Sequence, residues 1–199
     1  MWLVGVVVRR AGQGDAEVIL GPREAAALWL SGRGIEQWEP GEVSMADLRG
    51  QVGRGEWHVA CGAGVVCGAL RLLWSDPAVW QPGGGVAVYV HGLVIDRGHA
   101  GAGLGAGLLD WAGEQGRRAG AVVLRLDCAE GNAGLRRYYA RLGFREVGRR
   151  DFDGPWHSVV LLGRTLPDGA GGCQRPLMQI GATRPAASAR QGRATWDWY

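Results

Sequence analysis

The chain contains no lysine: all 22 of its basic residues are arginine. This is first a base-composition bias of the kind a GC-rich bacterial genome imposes. No basic run occurs, and a net charge of +3 spread over 199 residues is too small to grip a nucleic-acid backbone, although it suits a polyanionic small molecule. Cys61, Cys67, Cys128 and Cys173 show neither C-x-x-C spacing nor paired histidines, which argues against structural zinc and for buried free thiols. There is no run of about 18 apolar residues, so no membrane-spanning helix is expected. In MWLVGVVVRR the arginines follow the apolar run instead of preceding it, unlike a secretory leader. These absences together predict a cytoplasmic protein with no metal, no nucleic-acid partner and no membrane partner.

What is present is globular: 47% hydrophobic and 21% charged residues, with 36 glycines, about twice the usual share. The length suits one domain large enough to bury its core without disulfides. Residues 3–10 (LVGVVVRR) read as a strand, and 16–31 as a helix with Asp15 as N-cap. Gly21-Pro22 interrupts that helix and offers Pro22 as an alternative start. Ser44 caps a helix over 45–54, with Asp47 in the capping-box position. Strands at 57–61 and 65–74 form a hairpin around Gly62-Ala63-Gly64, and 75–85 is a loop. Strand 86–96, a helix from Leu104, strand 121–127 and helix 133–142 follow. Strands at 144–152 and 158–166 then run antiparallel around Asp153-Gly154-Pro155. Periodicity stops at residue 167. The predicted division is therefore a domain over 1–166 and a C-terminal extension over 167–199 whose composition favours disorder or loose packing.

The centre of the chain is the turn Gly101-Ala102-Gly103-Leu104-Gly105, set between an apolar strand and a helix. On that helix Leu104, Leu108, Trp111, Ala112, Gln115 and Ala119 share one face. A glycine turn opening a helix collects free backbone N–H groups and the positive end of the helix dipole, which suits a phosphate-bearing ligand. Residues 101–106 (GAGLGA) fit the dinucleotide fingerprint, with Asp127 near the place of a ribose-binding acid; a Rossmann-type enzyme is thus one reading. Against it, residues 96–100 separate the strand from the first glycine. Gly105, Gly107, Gly113 and Gly116 also load the helix with glycine, each interior one costing about 0.8–1 kcal/mol relative to alanine. Either close packing uses some of them or the helix is only marginally stable.

The segment 132–144 (NAGLRRYYARLGF), taken with LVIDRGHAGAGLGAGLLDWA before it, resembles the GNAT superfamily of acetyl-CoA-dependent N-acetyltransferases. Gly103 and Gly105 match the small positions of that family's acetyl-CoA turn. Asn132, Tyr139, Gly143 and Phe144 match its second motif, while Ala100 stands where the family has glutamine or arginine. The resemblance spans roughly 6–166 and is strongest over 86–144. It implies a GNAT-like α/β (α+β) fold: a mixed, mostly antiparallel sheet flanked by helices, with a central strand, glycine turn, helix and strand unit. It also implies acetyl transfer from acetyl-CoA to the primary amine of a small molecule or peptide, and homodimers are common in the family. Ala100, the glycine-laden helix and the lack of a glutamate on the strand before the turn also permit a non-catalytic acyl-CoA-binding or regulatory module.

Carried over residue by residue, the resemblance places the pyrophosphate on Gly101, Ala102, Gly103, Leu104, Gly105 and Ala106. The pantetheine arm pairs with the splayed strand at Leu93, Val94 and Ile95, where Gly92 marks either a bulge or an ordinary central strand. Asn132 is both helix N-cap and pantetheine contact. Tyr139 is the acid for the leaving thiolate, with neighbouring Tyr138 as the alternative. The general base is open. Ala87, Tyr89, His91 and Leu93 share a strand face before any bulge, and His91 has a suitable ordinary pKa near 6.5. Glu36, Glu39 or Asp76 acting through water compete with it. Trp38, Trp74 and Trp80, with Glu36, Glu39 and Asp76, are candidates for an aromatic, acidic acceptor pocket, although core packing explains Trp74 equally well.

Overall fold

A computed structural model describes residues 5–81, 85–152 and 158–167. Strands β1 (Val6–Arg10), β2 (Trp57–Gly62), β3 (Val65–Leu73), β4 (Ala87–Ile95), β5 (Val123–Ala129), β6 (Arg145–Arg150) and β7 (Val159–Thr165) form one sheet. Its order is β1-β2-β3-β4-β5-β7-β6. Every neighbouring pair is antiparallel except β4 and β5. The helices are α1 (Ala16–Ser31), α2 (Met45–Gly53), α3 (Leu104–Arg118) and α4 (Ala133–Arg141). This is the predicted mixed, mostly antiparallel α/β architecture. It removes the Rossmann reading, because a doubly wound dinucleotide fold requires consecutive parallel strands and only one parallel pair is present among the described residues.

Two cores hold the helices to opposite faces of the sheet. Leu70 and Leu72 of β3, with Val88, Val90, Leu124 and Leu126, pack against Leu104, Leu108 and Leu109 of α3 and Leu135 and Tyr139 of α4. Ala69, Trp57, Val59 and Val94 turn the other way, onto Ala16 and Ile19 of α1 and Leu48 and Val52 of α2. Gly113 and Gly116 of α3 pack against the first core. A Cβ on Gly116 would lie 2.4 Å from Val88 Cγ1, and one on Gly113 would lie 3.0 Å from Leu166 Cδ2. Close packing therefore accounts for both. The buried face of α3 is rotated from the predicted one, taking in Leu109, Gly113 and Gly116 and leaving Ala119 exposed.

Local signals fared unevenly. Ser44 Oγ accepts from the Asp47 N–H at 3.1 Å and donates to the Asp47 carboxylate at 2.6 Å, closing the expected cap. The hairpin turn has Ala63 at φ 49° and Gly64 at φ 82°, matching the twist of the flanking strands. Helix α1 corrects the Pro22 start: it begins at Ala16, after a 3₁₀ turn over Gln13–Asp15, and runs through Pro22. Asp15 makes no side-chain cap to α1. It holds the Arg9 guanidinium at 2.6 and 2.8 Å and accepts from the Gly12 N–H. The turn at Asp153-Gly154-Pro155 and the extension beyond residue 167 lie outside the described residues.

Candidate active site

Strands β4 and β5 pair only at Ala87–Val123, Val88–Leu124 and Tyr89–Arg125, and then diverge. The cause is visible on the other edge of β4. Its register with β3 slips between Ala69 and Arg71, so that Gly92 and Leu93 together oppose Leu70. Gly92 has φ 56°, and a Cβ there would lie 2.6 Å from Trp57 Cη2, so the bulge takes a residue with neither a Cβ nor a left-handed penalty. The extra residue inverts the alternation of β4. Val90 and Leu93 both face α3, whereas Val94 packs in the α1–α2 core, and Tyr89 and His91 alternate with Val88 and Val90. Beyond the bulge, Leu93, Val94 and Ile95 border an opening that β5 does not close.

The glycine turn lies at the end of that opening. Asp96 caps a short 3₁₀ turn over Arg97–His99 by accepting from the Gly98 N–H at 3.0 Å, and Ala100 closes it. Gly101 and Gly103 then take φ of 75° and 77°, with Gly103 as the left-handed N-cap of α3. The first intrahelical bond is from Gly107 N–H to Gly103 C=O. The amides of Leu104, Gly105 and Ala106 therefore have no partner within the helix and point out of its N-terminus. A Cβ on Gly103 would meet nothing within 4 Å, so the turn is open to a ligand.

On the floor of the opening His91 lies between two carboxylates. Its Nε2 is 2.9 Å from Asp76 Oδ2 and its Nδ1 is 3.4 Å from Asp127 Oδ1. The three side chains are 21, 7 and 17% exposed respectively. Burial works against the imidazolium, but the Asp76 bond and the charges of Asp127 and Asp76 outweigh it and the nearby Arg71, holding the His91 pKa above its ordinary value. Burial likewise pushes the Asp127 carboxyl up, with His91 pulling it back and Asp76 adding to the rise. Alongside, Arg125 donates to Tyr89 Oη at 3.1 Å and lies over the Trp80 ring, 4.8 Å from its centre.

Of the predicted acceptor residues, Asp76 joins this cluster. Trp38 stacks on the Arg23 guanidinium, 4.9 Å from the ring centre, and Arg23 is buried and paired with Glu42 at 3.0 Å. Glu36 is exposed. Trp74 is 55% exposed at the end of β3, which removes its core-packing explanation. Tyr139 is buried, its ring edge-on to Phe144 with centroids 5.6 Å apart and tilted to Tyr138 at 5.5 Å. Burial pushes the Tyr138 phenol up to about 12. Asn132 caps α4 through Leu135 N–H at 3.0 Å. Sequence reasoning missed two partners. Gln37 Oε1 accepts from Ala129 N–H at 3.1 Å and from Asn132 Nδ2 at 3.2 Å, tying the loop after α1 to the end of β5. The other is Asp127, which the glycine fingerprint offers as a ribose acid and whose strand position carries no signal that it faces His91.

Comparison with known proteins bears on the family and the fold. Residues 25–144 match the model of the acetyltransferase (GNAT) family. The relative "Uncharacterized N-acetyltransferase YesJ" of Bacillus subtilis (strain 168) is 32% identical over 143 residues, covering 67% of this chain and 78% of its own. A GNAT-family acetyltransferase of Listeria monocytogenes 4b F2365 superposes with a TM-score of 0.68 at 24% identity, over 83% of this chain and 99% of its own. YncA of Salmonella typhimurium, whose structure contains its cofactor acetyl-CoA, gives a TM-score of 0.60 at 21% identity, over 83% and 96%.

Proposed function

The chain belongs to the acetyltransferase (GNAT) family, and from that premise we propose that it moves an acetyl group from acetyl-CoA to a primary amine by direct transfer in a ternary complex. One observation carries the reading: the bulge at Gly92 opens β4 from β5 between a helix N-terminus on one side and the Asp76–His91 pair on the other. The residues fit the coenzyme. The left-handed turn Gly101-Ala102-Gly103 and the free amides of Leu104, Gly105 and Ala106 suit a pyrophosphate. The edge of Leu93, Val94 and Ile95 left unpaired by β5 suits the pantetheine amides, and Asn132, the N-cap of α4, is the further pantetheine contact of this reading. When bound, acetyl-CoA supplies an activated acetyl thioester.

The chain's residues then manage two protons. Asp76 orients His91 through Nε2, which leaves Nδ1 to take one proton from the acceptor's ammonium group. The freed lone pair forms the N–C bond, and a β4 backbone N–H at the bulge steadies the carbonyl oxygen. The C–S bond breaks with its electrons on sulfur, Tyr139 Oη protonates the thiolate, and the second N–H proton replaces the one Tyr139 gave. Direct transfer is supported by the thiols. Cys128 is fully buried, and burial, with Asp127 adding, pushes its pKa up to about 12; burial raises Cys67 as well. Trapping an acetyl-cysteine in the absence of amine would overturn it.

The test is calorimetric titration with acetyl-CoA, beside coenzyme A and NAD. Saturable acetyl-CoA binding that disappears in Gly103→Glu, with NAD inert, is the expected result. A folded protein that does not bind acetyl-CoA would end the assignment of the turn and the proposed reaction with it.

A further inference from the structure

Asp127 has no part in the reaction just described, yet its position demands one. It stands two residues past the last β4–β5 pair, as His91 does on the facing strand, so the two side chains meet across the opening. Its Oδ1 is buried without a hydrogen-bond partner among the described residues, 3.4 Å from His91 Nδ1. That is too long for a charge-assisted hydrogen bond, while Nε2 holds Asp76 at 2.9 Å. With the Nε2 proton directed at Asp76, Nδ1 presents a lone pair, and a carboxylate oxygen is acceptor only. In the neutral imidazole two acceptors therefore face one another, and in the imidazolium, which the two carboxylates favour, Nδ1 faces Asp127 Oδ1 only at 3.4 Å. A buried carboxylate oxygen left in this way is costly unless a ligand satisfies it. The nearby cations are already held elsewhere: Arg71 of β3 by Glu56 at 2.6 Å, and Arg125 by Tyr89 and Trp80.

We propose that Asp127 Oδ1 and His91 Nδ1 together receive the ammonium group of the acceptor, so that Asp127 is the residue that sets the preference for an N–H-bearing cation over a neutral acceptor. The inference rests on the acetyl-transfer reading for its product, but not for its binding step. An ammonium group carries three N–H donors, enough to satisfy both acceptors at once. Neutral arylamines, alcohols and thiols lack the charge that offsets Asp127. The groups facing His91 are Asp76 from the β3–β4 loop, Asp127 from β5 and Arg71 from β3. A cation entering between His91 and Asp127 displaces any proton on Nδ1, so amine binding releases a proton to solvent.

Full-length protein labelled with ¹³C at histidine Cε1 is titrated with butylammonium chloride and, separately, tetramethylammonium chloride at constant ionic strength. The His91 resonance is identified by its absence in His91→Gln. Butylammonium is expected to shift the His91 signal and lower its titration midpoint. Tetramethylammonium, which has charge but no N–H, binds about tenfold or more weaker, and Asp127→Asn loses a similar factor for butylammonium while keeping wild-type acetyl-CoA affinity. Equal effects of the two cations in the wild type, or no shift with butylammonium, would overturn the proposal without recourse to any variant. If acetyl-CoA binds normally and the ammonium probe fails, only this inference falls. If acetyl-CoA does not bind while the probe shifts His91, the transferase reading falls and the ammonium site stands.

Discussion

Gly92→Ala tests the device that opens the site. Two costs add at this position. The residue sits at φ 56°, where an L side chain costs roughly 1–2 kcal/mol. The new Cβ would also lie 2.6 Å from Trp57 Cη2 and within 3.4 Å of two further ring atoms. Trp57 cannot retreat, because its ring is buried in the α1–α2 core and its Nε1 donates to Gln51 at 2.8 Å. Overpacking of this kind costs about 1–3 kcal/mol. The expected loss is therefore about 2–5 kcal/mol, read as a lower urea midpoint at unchanged m-value. Gly120→Ala isolates the first cost, since Gly120 has φ 83° and nothing within 4 Å of its added Cβ; it is expected to lose only about 1–2 kcal/mol. Because the bulge also sets the facing of His91 and Leu93, Gly92→Ala should weaken acetyl-CoA binding where Gly120→Ala does not. Equal stability losses in the two variants would refute the argument that Trp57 fixes the glycine.

Gly116→Ala sets about 1 kcal/mol of helix propensity against a clash with fully buried Val88, and is expected to destabilise by about 1–2 kcal/mol on thermal melting. Combining it with Val88→Ala removes the 2.4 Å contact, so the pair should be less than additive. Ser44→Ala removes the cap on Asp47 N–H and should cost about 1 kcal/mol, with Ser44→Asp retaining most of it. Asp15 has its pKa lowered below the ordinary 3.8, first by the Arg9 hydrogen bonds and next, with burial opposing, by the Gly12 N–H. Its contribution is thus present above pH 4 and disappears as pH falls through the folded-state value. Arg9 is about half exposed, so Asp15→Asn should lower stability by only about 0.5 kcal/mol, evenly from pH 5 to 9, with the difference from the wild type vanishing as pH falls below 4. Tyr139→Phe, assayed with any amine that turns over, should lower kcat about a hundredfold with acetyl-CoA affinity kept. An unchanged kcat would move the acid elsewhere.

The parts of the fold legible in the sequence were those specified by short-range physics. Ser44 and Asp47, Asn132 and the Gly62-Ala63-Gly64 turn are satisfied by atoms within four residues, so their patterns read directly. Gly92 was legible as a glycine inside a strand, because the residue itself is the signal of a bulge. Pro22 misled, because a proline inside α1 removes one hydrogen bond while sixteen residues of helix remain packed on the sheet through Ala16, Ile19 and Ala27. Gln37 carried no signal at all, since its partners at Ala129 and Asn132 lie more than ninety residues away. Gly113 and Gly116 read locally as a weakness in α3, because the side chains of Val88, Leu124 and Leu166 that lie against them come from other elements.

Asp127 shows most clearly where local pattern stops. The glycine turn and an acid some twenty residues on are shared by two ligand logics, and nothing within either segment separates them. The separation comes from β4 and β7. In a dinucleotide fold β5 would sit among parallel strands, with its acid at the strand end. Here β7 pairs antiparallel along the whole of β5 through Ala129, while the Gly92 bulge withdraws β4 after Tyr89. The same aspartate is thereby moved from the rim of a nucleotide site to the floor of an opening, opposite His91. Its chemistry is set by the strand that leaves it uncovered. A β4 that stayed in register would pair across this position and close the opening, which is why the Gly92 variant and the ammonium titration probe two ends of one geometry.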